Sequence, residues 1–209
     1  MEVFIFKILP MKILLQLRPS FWAYTIVLIP AFFALCSCND MPQDSKDSKE
    51  AAKEMNKPNS DATRESDERF LVKAAEINFE EIRLGQLAEQ KGTAAEVKEL
   101  ARMVVQAHNK AKDDLHALSS RKGIAVPLSP SDAVENAYKN LNEKSGHDFD
   151  KEYCNKMVSG HKDAIDLYES ATRGNNDPDV KSWASSMLPA LRTHLAQAQA
   201  CDDKLKQIK

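Results

Sequence analysis

The chain has 209 residues, with 29 Lys and Arg against 31 Asp and Glu and a net charge of −2. That length holds one ordinary domain with tails and buries a core without needing metals or disulfides. The near-neutral charge lacks the basic field of a nucleic-acid binder, so no nucleic-acid partner is expected, and six scattered glycines leave no GxGxxG or P-loop to cradle phosphate. HExxH, GxSxG and CxxC are also absent, and no catalytic residue is assigned.

Residues 1–37 read as a targeting device. Lys7, Lys12 and Arg18 precede an uncharged run whose apolar heart, Phe21 to Leu35, has the length of a signal-peptide core and is short for a membrane span. The run ends in Leu35-Cys36-Ser37-Cys38, which resembles a lipoprotein cleavage site with Cys38 as the lipidated residue. An uncleaved anchor helix is the alternative. Both readings tether the chain to a membrane outside the cytoplasm, in the bacterial cell envelope. Residues 38–65 are polar, mixed in charge and poor in large apolar side chains, which predicts a flexible linker. From residue 38 onward 30 acids face 26 cations, a net charge of −4.

The folded domain is expected over residues 66–207, all-α, with apolar residues at helical spacing. A first long helix begins at Ser66 and stops at Gly92. Thr93 and Glu96 form a capping box for a second, which stops at Gly123. A short extra helix starts around Ser129-Pro130-Ser131-Asp132 and closes at Gly146. A third long helix is capped by Asp148 and ends near Gly174, and Asp177-Pro178 starts the fourth. The short connections predict an antiparallel four-helix bundle in up-down-up-down order, with both hairpin turns at one end.

Each core-facing stripe carries one ionisable residue among apolar ones: Glu81, His108, His161 and His194. Their heights fall within about 10 Å of each other at the usual helical rise, so the four converge inside the bundle. One carboxylate and three imidazoles are a ligand set for a transition metal ion such as Fe, Cu or Zn. The competing reading is a structural polar cluster, hydrogen-bonded internally and to Tyr153, Tyr168 or water. A di-iron oxidase is the weakest reading, because the Glu-x-x-His motifs of such centres are missing and Asp113-x-x-His116 lies beside the stripe. Cys154 and Cys201 each lie seven residues from a stripe histidine, so they face each other if His161 faces His194. A disulfide and a pair of buried thiols both fit.

The blocks FLVKAAEINFEEIRLGQLAEQKG, MVVQAHNKAKDDLHAL, FDKEYCNKMVSGHKDAIDLYE and LPALRTHLAQAQ resemble domain of unknown function 4142 over about Glu68 to Leu205. The resemblance implies a ferritin-like bundle in a bacterial envelope protein without a settled activity. It carries the family's Glu onto Glu81, an Asp-His pair onto Ala107-His108, single histidines onto His161 and His194, Phe-Asp and Tyr onto Phe149-Asp150 and Tyr153, and Leu-Pro onto Leu188-Pro189. The chain departs at Ala107, where the family has Asp. Together these features imply a membrane-anchored lipoprotein that binds a transition metal or serves as a structural or interaction module of the envelope.

Overall fold

The computed structural model describes residues 47–56 and 61–207, and the expected signal peptide and Cys38 lie outside them. All regular structure in the described residues is helical: α1 (Ser48–Met55), α2 (Ala62–Lys91), α3 (Ala95–Lys122), α4 (Asp132–Asn142), α5 (Gly146–Arg173) and α6 (Pro178–Gln207). The all-α expectation holds.

The helix ends follow local chemistry, with four departures from the sequence reading. Helix α2 starts at Ala62, because the Asp61 carboxylate accepts from the backbone N–H of Thr63 at 2.9 Å. Arg64, in its first turn, donates to the carbonyl oxygens of Lys122 and Gly123 and so caps the end of α3. At the start of α3 the acceptor is not Thr93. The N–H groups of Thr93 and Ala94 donate to the Asp150 carboxylate at 2.9 and 2.8 Å, and the Thr93 hydroxyl donates to it as well. A buried acid from α5 replaces the expected capping box, placing negative charge at the positive end of α3. Ser131 caps α4 through its hydroxyl, which leaves Pro130 outside the helix. Gly146 opens α5 with φ 58° instead of closing α4, whose last residue is Asn142.

Helix α1 falls within the segment expected to be a flexible linker. Asp47 caps it, and Asn56 exchanges two hydrogen bonds with the backbone of Ala125, at 3.0 and 2.9 Å. Lys49 pairs with the buried Glu76 of α2 at 3.1 Å. These polar contacts, with the single buried apolar residue Ala52, seat this segment, and composition alone does not register them.

Helices α2 and α3 pack as one hairpin and α5 and α6 as another; α2 also packs on α5, and α3 on α6. The two hairpin turns lie at opposite ends, contrary to the expected order. Lys122 at the end of α3 pairs with Asp177 and Asp179 at the start of α6. Asp150 at the start of α5 bonds instead to the start of α3. The link from α3 to α5 therefore runs the length of the helices, with α4 laid along α2 through the Arg83–Glu135 pair at 3.2 Å. This covering explains why α2 buries Leu71, Ala75 and Ile82 in addition to its predicted stripe.

The apolar core is divided. One cluster contains Phe70, Leu115, Tyr168, Val180 and Leu191; the other contains Leu84, Val104, Phe149, Met157 and Leu205. On every long helix the ionisable stripe residue falls between them: Glu81 before Leu84, His108 after Val104, His161 after Met157, His194 after Leu191. A polar layer thus crosses the middle of the core.

Candidate metal centre

Three histidines meet in that layer. One ring nitrogen from each of His108, His161 and His194 lies within 4.8 Å of the other two. The ring centroids form a near-regular triangle with sides of 5.6, 5.6 and 5.2 Å. All three residues are buried, on α3, α5 and α6. They converge despite the altered helix order because each sits near the middle of its helix, so reversing a hairpin leaves its height almost unchanged.

Hydrogen bonds fix which nitrogens are free. Nδ1 of His161 lies 2.8 Å from the carbonyl oxygen of Met157, which only accepts, so that nitrogen carries the proton. Nε2 of His161 is then a lone-pair acceptor, 3.2 Å from Nδ1 of His194. Nδ1 of His108 lies 2.9 Å from Oδ1 of Asn78, and Nε2 of His108 is buried with no hydrogen-bond partner. Orienting the far nitrogen through a carbonyl or amide oxygen is how metal-bound imidazoles are commonly held.

Glu81 stands one step outside the triad. Its Oε1 is 3.7 Å from Nδ1 of His161, the nitrogen turned to Met157, while its Oε2 is buried without a partner. The expected four-residue ligand set thus resolves into three converging imidazoles and an adjacent carboxylate. Gly160 permits this placement, since a Cβ there would sit 2.8 Å from Glu81 Oε1. The Tyr153 hydroxyl is also buried and without a partner.

Burial sets the charge states. It pushes the Glu81 carboxyl well above the usual carboxylate range, with a smaller push from Glu80. It pushes His108 well below the ordinary imidazole value, helped by the other two rings, and it lowers His161 against the opposing Met157 bond. His194 is lowered to about 4, chiefly by burial and then by His161. The layer therefore holds three neutral imidazoles, the form in which histidine binds metal.

The remaining candidates fall elsewhere. Asp113 is exposed on α3 and His116 only half-buried, and neither joins the triad. No acid lies three residues before any histidine of the triad, so a second ion would lack bridging carboxylates. Cys154 and Cys201 stand at disulfide distance, with Cα atoms 6.2 Å apart, joining α5 to α6 beside the centre. Asn78 was missed by the sequence reading. It lies one position off the α2 stripe, and only its spacing of three from Glu81 hints that both share a face.

The model of the domain of unknown function DUF4142 matches residues 52–201, and the chain belongs to that family. The crystal structure of a DUF305 fragment from Deinococcus radiodurans superposes with a TM-score of 0.57 at 14% identity. The match covers 68% of this chain and 97% of that one, and it shows a shared fold only. No curated protein matches the chain. Among the described residues no helix is long and apolar enough to cross a membrane.

Proposed function

We propose that this protein binds one divalent transition metal ion through His108, His161 and His194. The observation that carries the reading is the buried Nε2 of His108, which has no partner in a layer where two further imidazole nitrogens lie within 4.8 Å. An unpaired buried acceptor is costly, and an ion shared by three neutral imidazoles relieves that cost. Three nitrogen donors suit zinc, copper or iron and leave a fourth position open. Glu81 stands outside this ligand set, beside Nδ1 of His161 at 3.7 Å.

The four long helices are read as an antiparallel, ferritin-like bundle. The reading is supported by the packing of each helix on two others and by the long link between the hairpins. In the same proposal Cys38 is lipidated, and the domain sits on a membrane of the bacterial envelope, facing the periplasm or exterior. The sequence of residues 1–38 supports this, and a cysteine pair at disulfide distance suits an oxidising compartment. The second reading is a structural polar layer in an envelope interaction module, favoured by the His161–His194 contact at 3.2 Å.

Metal analysis separates the two. The full chain, purified in detergent without a histidine tag and dialysed against zinc, copper or iron, is expected to retain one ion per chain. His161→Ala and His194→Ala are expected to retain none. A wild-type chain that keeps no ion under any loading leaves the structural reading.

A further inference from the structure

We propose that the pocket between α2 and α5 is the port by which a divalent cation reaches the three histidines, with Glu81 as the relay ligand at its inner end. This inference rests on the metal-binding reading above. The pocket has a volume of about 300 Å³, and Glu80, Glu81, Gly160, Asp163 and Met157 are among its lining residues. Two of these touch His161 directly: Glu81 at 3.7 Å and the Met157 carbonyl at 2.8 Å. The pocket therefore ends against the Nδ1 edge of the His161 ring, whose other nitrogen, Nε2, faces His194 in the metal centre.

Glu81 has the properties of a relay. It is only 4% exposed, yet it lines the pocket, and its Oε2 has no hydrogen-bond partner. Across from it, Gly160 has no side chain, and a Cβ there would come within 2.8 Å of Oε1. The carboxylate thus fills the space that any other residue at 160 would take. Outside it, Glu80 and the exposed Asp163 present further carboxylates. The two lysines of the same pocket are turned to other acids, Lys73 to Glu76 at 3.7 Å and Lys156 to Glu152 at 4.0 Å.

Loading runs from the rim inward, and release retraces the same path. Carboxylates at the rim concentrate a hydrated cation. Glu81 releases its proton to the pocket water and replaces one of the cation's waters with an oxygen ligand. Three imidazole nitrogens then take the ion, because a transition metal prefers that donor set to a single carboxylate. A relay of this kind alters the rates of loading and release together and leaves the final affinity unchanged.

The test uses the full chain in detergent and zinc alone, following uptake by stopped-flow competition with a fluorescent chelator and release by chelator chase. Glu81→Gln, which removes the relay ligand, and Gly160→Ala, whose Cβ would come within 2.8 Å of Glu81 Oε1 and displace it, are expected to slow uptake and release alike. Their equilibrium affinity for zinc is expected to match that of the wild type. The double variant Glu80→Gln/Asp163→Asn touches only rim positions. It is expected to slow uptake in low salt and to match the wild type at about 1 M salt, where charges are screened within about 3 Å. Unchanged rates in Glu81→Gln, with the triad still filling, overturn the proposal. Faster release with lost affinity also overturns it, because Glu81 is then a fixed ligand. A wild-type chain that takes up no zinc overturns the metal reading itself, and the port with it.

Discussion

Asn78 and His108 are joined across α2 and α3 by a buried hydrogen bond of 2.9 Å. It holds the His108 proton on Nδ1 and leaves Nε2 as an unpaired acceptor toward the other two rings. One amide oxygen thereby decides which nitrogen faces the centre. Asn78→Leu is expected to weaken zinc affinity by about 10- to 100-fold, the usual effect of losing an orienting partner. Asn78→Asp, which keeps the acceptor, is expected to lose less. Competition titration against a calibrated chelator measures both.

Metal-free stability is expected to rise with pH between about 4 and 6.5. The folded value of His194 is lowered to about 4 from an ordinary 6.5, and His108 and His161 are lowered as well. Between those limits the unfolded chain binds more protons at these residues than the folded one, so stability grows as pH increases. Glu81 acts in the opposite sense. Its raised folded value makes the folded chain keep a proton that the unfolded chain loses above about 4.5, which lowers stability as pH rises. Three histidines outweigh one glutamate. Urea titrations from pH 4 to 7 check the sign, which is expected to vanish in a His108→Phe/His161→Phe/His194→Phe variant that still folds.

Cys154 and Cys201 stand at disulfide distance, and a bond between them closes a loop with a sequence separation of 47 residues. In the chain-entropy model such a cross-link contributes about 4 kcal/mol. Cys154→Ser and Cys201→Ser are expected to lower the thermal midpoint equally. The double variant is expected to fall no further, since each single change already removes the whole bond. Calorimetry with and without reductant checks this.

Asp150 accepts from two backbone N–H groups and one hydroxyl at the start of α3 while itself only 1% exposed. Asp150→Ala leaves those donors without a partner, at an expected cost of about 3 kcal/mol. Denaturant unfolding measures it, and Asp150→Asn is expected to recover part of the loss.

The helices and the three histidines were legible because both are written in local periodicity. A single histidine on a stripe of apolar residues spaced three and four apart betrays itself whatever the helix order. The relations between helices were not legible. The capping of α3 by Asp150 joins residues 57 apart in sequence, and no nearby pattern encodes it. The reversed second hairpin depends on how far the link through α4 travels, and composition does not state that distance. Helix α1 escaped notice for a different reason. It is seated by Asn56 and Lys49, polar residues whose partners Ala125 and Glu76 lie far along the chain. Glu81 was found as a core acid, but only the geometry separates it from the triad by the width of the His161 ring.

The most direct test of the central claim is anomalous scattering from crystals of the full chain soaked in zinc. The account predicts one strong peak within about 2.0–2.1 Å of a nitrogen from each of His108, His161 and His194. A histidine layer that stays without a peak while zinc binds only at the surface would contradict it.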